Sequence, residues 1–105
     1  MTGLAFPKNP PLRDRKYLDW LRTQPCVLTG FRPTESMAID PLHIGTLAKG
    51  MKSPDDEAIP VRHDLHALGH QRGEVSMLRE FAPDWLLRDA FRAWAREQYR
   101  KWRER

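Results

Sequence analysis

The four histidines of this chain all lie between positions 43 and 70, and the spacing of two of them suits a metal site. His66 and His70 are four residues apart in a predicted helix, so their imidazoles project from one face and can share a metal ion. His63 lies three residues before His66 and falls roughly on that face. Ala67 stands where a zinc protease needs its Glu general base, which argues against a metalloprotease. The alternative is an incidental pair, because helices bury and expose histidines freely.

A second group of polar residues lies upstream, in the segment IDPLHIG. Asp40 and His43 are placed there at the end of a predicted strand, immediately before a long loop. Loops of this length in small domains are usually functional or mobile.

Short elements must position these side chains, and their pattern predicts an α+β fold. Pro25 ends the first predicted helix, Gly73 ends the second, and Pro83 suits the first turn of the last one. In chain order, the predicted elements are a helix over 13–23, two short strands in PCVLTG (25–30) and SMAIDPLHI (36–44), a loop over 45–57, a strand in AIPVR (58–62), and helices over 64–72, 74–82 and from 83 through Trp102.

Length and composition predict one domain. The 105 residues are 40% hydrophobic, enough for one modest core over residues 13–105, and residues 1–12 form an extended, proline-containing arm. No apolar run approaches the roughly 18 residues that span a bilayer, and the start lacks a secretion signal, so we expect a cytoplasmic protein with no membrane partner. Cys26 is the only cysteine, which excludes an internal disulfide and a four-cysteine zinc site within one chain.

The excess positive charge lies on the last predicted helix. Residues 88–105 contain seven Arg and Lys against three acidic residues, which equals the net charge of +4 for the whole chain. Two interpretations stay open: a phosphate-binding stripe, or a solvated face on a helix that packs on the core. The stripe recurs every fourth residue: Arg88, Arg92, Arg96 and Arg100.

The order of these motifs resembles the HNH, or ββα-metal, nuclease superfamily. PCVLTG, DPLHIG and GMKSPDDEAIPVRHDLHALGH follow one another as in its small phage and prophage branch, which includes the phage recombination-enhancement nuclease. The resemblance covers about residues 15–75. It implies a small ββα-metal core, a β-hairpin plus a short helix, between an N-terminal helix and a long basic C-terminal helix.

The resemblance also implies roles for individual residues. It makes His43 the general base, His66 and His70 metal ligands on the helix, and Asp40 a further ligand from the strand. His63, one turn from His66, is the rival of Asp40 for that third position. It places Asp55 at the acidic position of the loop, where it orients the base or shapes the site. Lys49 and Lys52 in the same loop are candidate contacts to the DNA backbone, against the alternative of solvated surface.

Three positions depart from the family pattern. Leu42 stands where many relatives have a second histidine, so the strand-side ligand falls to Asp40. Arg62 replaces a cysteine, and Gly30 lies in the region of another, so a structural zinc finger is absent.

The chemistry of the reaction agrees with these roles. Phosphodiester hydrolysis needs a base that titrates near neutrality and a cation that neutralises the developing charge. One divalent metal ion, Mg²⁺, Mn²⁺, Ni²⁺ or Zn²⁺, suits two histidines and a carboxylate. We therefore expect an enzyme, a phage- or prophage-encoded, metal-dependent DNA endonuclease. The alternatives are a non-catalytic nucleic-acid-binding or phage accessory protein with a degenerate site, and a small helical interaction protein.

Overall fold

The computed structural model describes residues 12–44, 53–81 and 88–105. The α+β class predicted from the sequence is confirmed, because two strands pair between helices. The elements are α1 (Arg15–Leu21), β1 (Ile39–His43), a short 3₁₀ helix (Asp55–Glu57), β2 (Ala58–Arg62), α2 (His63–Arg72), α3 (Glu74–Phe81) and α4 (Arg88–Glu104).

The hairpin formed by β1 and β2 is the frame on which the histidines are placed. The strands are antiparallel, with Asp40 opposite Val61 and His43 opposite Ala58. Arg62, the last residue of β2, directly precedes α2. Strand residues and helical histidines are therefore held together by a connection that has no intervening loop.

The two faces of the hairpin carry different packing. Val61 is buried in the main core with Leu65 of α2, whereas Ala58 is buried with Tyr17 of α1 and Tyr99 of α4. Residues opposite each other across a ladder share a face, and successive residues of a strand alternate. Asp40 therefore lies on the α2 side of the hairpin, and His43 on the α1 and α4 side.

The prediction of a strand in PCVLTG is wrong. Residues 27–29 form a turn, which Gly30 closes at φ 76° by donating its N–H to the Cys26 carbonyl oxygen at 2.7 Å. The Val27 amide donates to the Pro60 carbonyl oxygen at 2.9 Å. This single hydrogen bond joins the turn to β2, whereas all five residues of β2 pair with residues of β1.

The other element predictions agree with the structure where it describes them. Asp14 caps α1, and its side chain accepts a hydrogen bond from the Tyr17 amide. Gly73 ends α2 at φ 95°, a conformation that favours glycine. The 3₁₀ helix lies within the predicted loop. The arm over 1–11, the loop over 45–52 and the predicted helix start at Pro83 lie outside the described residues.

The helices of the described segments are too short or too polar to cross a lipid bilayer.

Candidate active site

His43 is held by a buried carboxylate. Its Nε2 lies 2.9 Å from Oδ1 of Asp55, whose side chain is only 5% exposed, while the imidazole itself is one-third exposed. An ionised carboxylate only accepts hydrogen bonds, so the proton of a neutral imidazole resides on Nε2. The Nδ1 atom then carries a lone pair and can accept a proton.

The beginning of α1 fixes Asp55 in turn. The Asp14 backbone amide donates to Oδ2 of Asp55 at 2.7 Å, and the Arg13 guanidinium lies 3.4 Å from Oδ1. Asp14 also accepts a hydrogen bond from the Tyr99 hydroxyl at 2.9 Å. The partner of His43 is thus positioned by the residues that precede α1, and α4 holds one of them, Asp14, through Tyr99.

The second group, which we call the histidine cluster, consists of Asp40, His63, His66 and His70. Oδ2 of Asp40 lies 2.6 Å from Nδ1 of His63 and 2.9 Å from Nδ1 of His66. Burial raises the pKa of Asp40, but the hydrogen bonds from His66 and His63 outweigh it and hold the pKa below its usual value. Asp40 is therefore a carboxylate at neutral pH and orients both rings.

His66 and His70 converge through their other nitrogen atoms. Their Nε2 atoms are 3.1 Å apart. Two imidazole nitrogens bound to one Zn²⁺, each at roughly 2.1 Å, are about 3.0–3.4 Å apart, so this pair has the spacing of two ligands of one ion. A carboxylate on the far nitrogen of a ligating histidine is the usual partner that fixes its tautomer and raises its basicity. Asp40 makes that contact to His66.

The His43–Asp55 pair and the histidine cluster are separate in the described part of the chain. No hydrogen bond or ion pair there joins His43 to a residue of α2, because the two groups lie on opposite faces of the hairpin. Within residues 12–44, 53–81 and 88–105, no three His, Cys, Asp or Glu side chains form a set that could hold one metal ion.

Three arginines of the predicted stripe on α4 are paired with acidic side chains of the protein. Arg92 and Arg96 both pair with Glu57, whose side chain is 6% exposed, and the Nε of Arg96 lies 3.0 Å from Oε2 of Glu57. Arg100 pairs with Glu97 and Glu104 along the helix. Phe91 and Ala95 of the same helix are fully buried. These contacts favour the alternative in which the arginines belong to a helix that packs on the core.

For three of the predicted nucleic-acid contacts, the side chains lie outside the described part of the structure. Lys49 and Lys52 lie in the segment 45–52, and of Arg88 only the helical backbone is described. These three assignments stay predictions.

Sequence analysis missed the residues that organise the His43 side. Arg13, Asp14 and Glu57 were not assigned a role. A signal for Asp14 existed, because Asp immediately before an apolar-periodic segment is a preferred helix cap. Nothing local marks Glu57, since its arginine partners lie 35 and 39 residues away in sequence.

Comparison with protein-family models, curated proteins and solved structures finds no match for this chain.

Proposed function

We propose that this chain is a metal-dependent DNA endonuclease of the HNH type, phage- or prophage-encoded and cytoplasmic. It hydrolyses phosphodiester bonds with His43 as general base and one divalent metal ion. The observation that carries the proposal is the hydrogen bond between His43 and the buried Asp55. A histidine oriented by a carboxylate through one nitrogen, with the other nitrogen free, is the arrangement of a general base.

In this proposal His43 accepts the proton of the attacking water on Nδ1. The imidazolium that forms keeps its Nε2–H bond to Asp55, whose negative charge stabilises it. The buried position of Asp55 strengthens that effect, since less water screens the pair. Arg13 and the Asp14 amide keep the carboxylate in place throughout.

The residues that fit a metal ion are His66 and His70, with Asp40 holding His66 through Nδ1. When bound, a divalent cation supplies charge stabilisation for the phosphorane oxygens and the departing 3′ oxygen. His66 is prepared for that role, because its Nδ1–H donates to Asp40 and its Nε2 carries the lone pair. His70 must hold its own proton on Nδ1 when its Nε2 serves as a ligand.

The two groups would act on one phosphate at the edge of β1. Asp40 and His43 are three residues apart, roughly 10 Å along a strand, and face opposite sides of the hairpin. Side chains from both faces of a strand can reach its outer edge. A scissile phosphate at that edge would have His43 on one side and the α2 histidines on the other.

Plasmid nicking tests the proposal. Supercoiled, relaxed and single-stranded DNA are incubated with the protein and with Mg²⁺, Mn²⁺, Ni²⁺ or Zn²⁺, with EDTA as the metal-free control. We expect cleavage with at least one metal and none in EDTA. His43→Ala, purified identically, should lack the activity, which excludes a contaminating nuclease. Absence of cleavage with every metal and DNA form would contradict the proposal.

The second candidate is a non-catalytic nucleic-acid-binding or phage accessory protein with the same fold. The observation that favours it is Leu42, which is only 8% exposed and packs in the main core, at the position where many HNH relatives have a histidine. In that case DNA binding would be measurable while nicking would be absent.

A further inference from the structure

A cavity between the two terminal helices takes no part in the proposed hydrolysis. It has a volume of about 250 Å³ and lies between α1, the turn over 25–30, β2 and α4. Its lining includes two indoles, two carboxamides, the only cysteine and a strand proline: Trp20, Trp94, Gln24, Gln98, Cys26 and Pro60. We call it the Trp20–Trp94 cavity.

The lining is chemically specific. None of the described residues around the cavity is charged, and its wall is mostly apolar. The Gln98 side chain makes no hydrogen bond with any described residue, and within the described residues the Gln24 side chain donates only to its neighbour Thr23, at 2.9 Å. Both amides can therefore donate to, and accept from, a ligand. An apolar site with a few polar groups that fix orientation is typical of small-molecule recognition.

The dimensions restrict the ligand to one ring system. Small-molecule sites usually occupy roughly 300–1,000 Å³, and this cavity lies just below that range. Aromatic walls bind planar rings by stacking, and carboxamides match the paired donors and acceptors along the edge of a heterocycle.

Each of the two helices carries a lysine one helical turn from a residue that lines the cavity. Lys16 lies one turn before Trp20 on α1, and Lys101 lies one turn after Gln98 on α4. Both are exposed, and within the described residues neither lies within ion-pair distance of a carboxylate, although Lys101 is near enough to Glu97 to help lower the pKa of that carboxyl. A ligand that combines a planar base with phosphates could place the base in the cavity and its phosphates near the two lysines.

The cavity also shares a face of the hairpin with His43. Pro60 is two residues from Ala58, the cross-strand partner of His43, so the two positions point to the same side. A nucleic-acid strand that reaches His43 can therefore continue along α1 toward the cavity.

We propose that the Trp20–Trp94 cavity binds one unstacked nucleobase of single-stranded DNA. The inference rests on the proposed function only in its choice of DNA as the polymer. The base inserts between the apolar walls, Gln24 and Gln98 bond to its edge, and the adjacent phosphates lie near Lys16 and Lys101.

A titration followed by the indole N–H signals in NMR tests this without cleavage, in a buffer free of divalent metal. The ligands are an eight-residue oligothymidylate, an abasic oligomer of the same length, and thymidine. We expect the oligothymidylate to shift the signals of Trp20 and Trp94 and to leave that of Trp102 in place, and the abasic oligomer to bind more weakly. Shifts with thymidine as well would identify the base alone as sufficient. Equal affinity for both oligomers, or unmoved Trp20 and Trp94 signals, would overturn the proposal.

Gln98→Met provides the matched variant, because it keeps the length of the side chain and breaks no hydrogen bond of the described chain. Gln71→Met, on the exposed face of α2, is the control. We expect Gln98→Met to weaken oligothymidylate binding by about fivefold or more and to leave binding of the abasic oligomer unchanged. Identical affinities of the two variants would contradict the assignment.

The outcomes separate this proposal from the nuclease. Base-dependent binding without nicking supports the cavity and rejects the enzyme. Nicking by a protein whose Gln98→Met variant binds normally rejects the cavity and leaves the enzyme standing.

Discussion

The two faces of the hairpin hold their polar groups in different ways. On the α1 and α4 face, His43 is hydrogen-bonded to a buried carboxylate that is itself held from distant parts of the chain. On the α2 face, the histidines are bound to one strand residue and to each other, and His63 is 64% exposed. Leu65 is the only buried residue of α2.

The difference indicates which group is rigid and which can adapt. A side chain fixed by a buried, multiply bonded partner keeps its geometry without a ligand. An exposed pair on one helix can change tautomer and rotamer when an ion arrives. A fixed base on one face and an adjustable ion site on the other are consistent with the proposed division of roles.

The largest expected effect is at His43, the proposed base. His43→Ala should reduce the initial rate of plasmid nicking by at least about 100-fold, the usual range for a general base. Asp55→Asn should cause a comparable loss, and the double variant should be no worse than His43→Ala, because the two act as a unit. Gln71→Ala on the other face is the control and should retain the parent rate. Full activity of His43→Ala would refute the assignment.

Metal affinity should depend on the opposite face. His66→Ala and His70→Ala should each weaken binding of the preferred ion by about tenfold or more, since each removes a ligand. Asp40→Asn should weaken it by about 10–100-fold through the orientation of His66. His43→Ala should stay within a few fold of the parent. Calorimetric titration measures all four, and unchanged affinity in both histidine variants of α2 would exclude the site.

Among the effects on the free energy of unfolding, we expect the largest at Glu57, the partner of two arginines of α4. Glu57→Gln leaves two arginines without their buried counter-ion, and because those arginines are partly exposed we expect a loss of about 2 kcal/mol in the free energy of unfolding. Glu97→Gln breaks only an exposed pair with Arg100 and should cost about 0.5 kcal/mol or less. Urea denaturation compares them, and equal losses would show that burial of Glu57 does not matter.

The salt dependence of DNA binding separates the two interpretations of α4. Arginines that pair with Glu57 release few counterions, so the double variant Arg92→Gln, Arg96→Gln should leave the log-log slope nearly unchanged. Lys16→Gln should reduce it by about 0.7, the value for one contact to a single strand. Binding is measured without divalent metal, on variants first shown to be folded. A slope reduced by about 1.4 in the double variant would restore the arginine stripe as the DNA contact.

The smallest effect concerns pH and the α1 face. Burial, the neighbouring Asp56 and Tyr99 raise the pKa of Tyr17 well above its usual value. The unfolded chain releases this proton near pH 10 and the folded chain keeps it, so the contribution to stability is complete below pH 10 and is lost as pH rises further.

Tyr17→Phe should therefore flatten the alkaline fall in stability. At pH 7 it should change the free energy of unfolding by no more than about 0.5 kcal/mol, because the buried hydroxyl has no hydrogen-bond partner in the described chain. Tyr99→Phe is the contrast, since it loses the bond to Asp14 and should cost about 1 kcal/mol at pH 7. Thermal melts between pH 7 and 11 measure the stability of both variants. If stability falls above pH 10 as steeply in Tyr17→Phe as in the parent, the assignment is contradicted.

Features that depend on local spacing follow from the sequence alone. The four-residue interval between His66 and His70 puts them on one face of any helix, and Gly73 ends that helix because it tolerates positive φ. The approximate bounds of α1 and the apolar face of α4 follow from the same periodicity. Asp40 and His43 were placed on one strand because an apolar, turn-bounded run indicates one.

Which distant segments meet depends on how the whole chain packs. Strand patterns do not specify their partners, so the sequence offered residues 25–30 as a strand, whereas β1 pairs with β2 and residues 27–29 form a turn. The sequence likewise does not specify the partners of charged groups. The family resemblance implies a site role for Asp55, but its burial and its bond to the Asp14 amide depend on where α1 packs. Arg92 and Arg96 have the spacing of a phosphate-binding stripe, but both pair with Glu57, because a buried carboxylate must be paired.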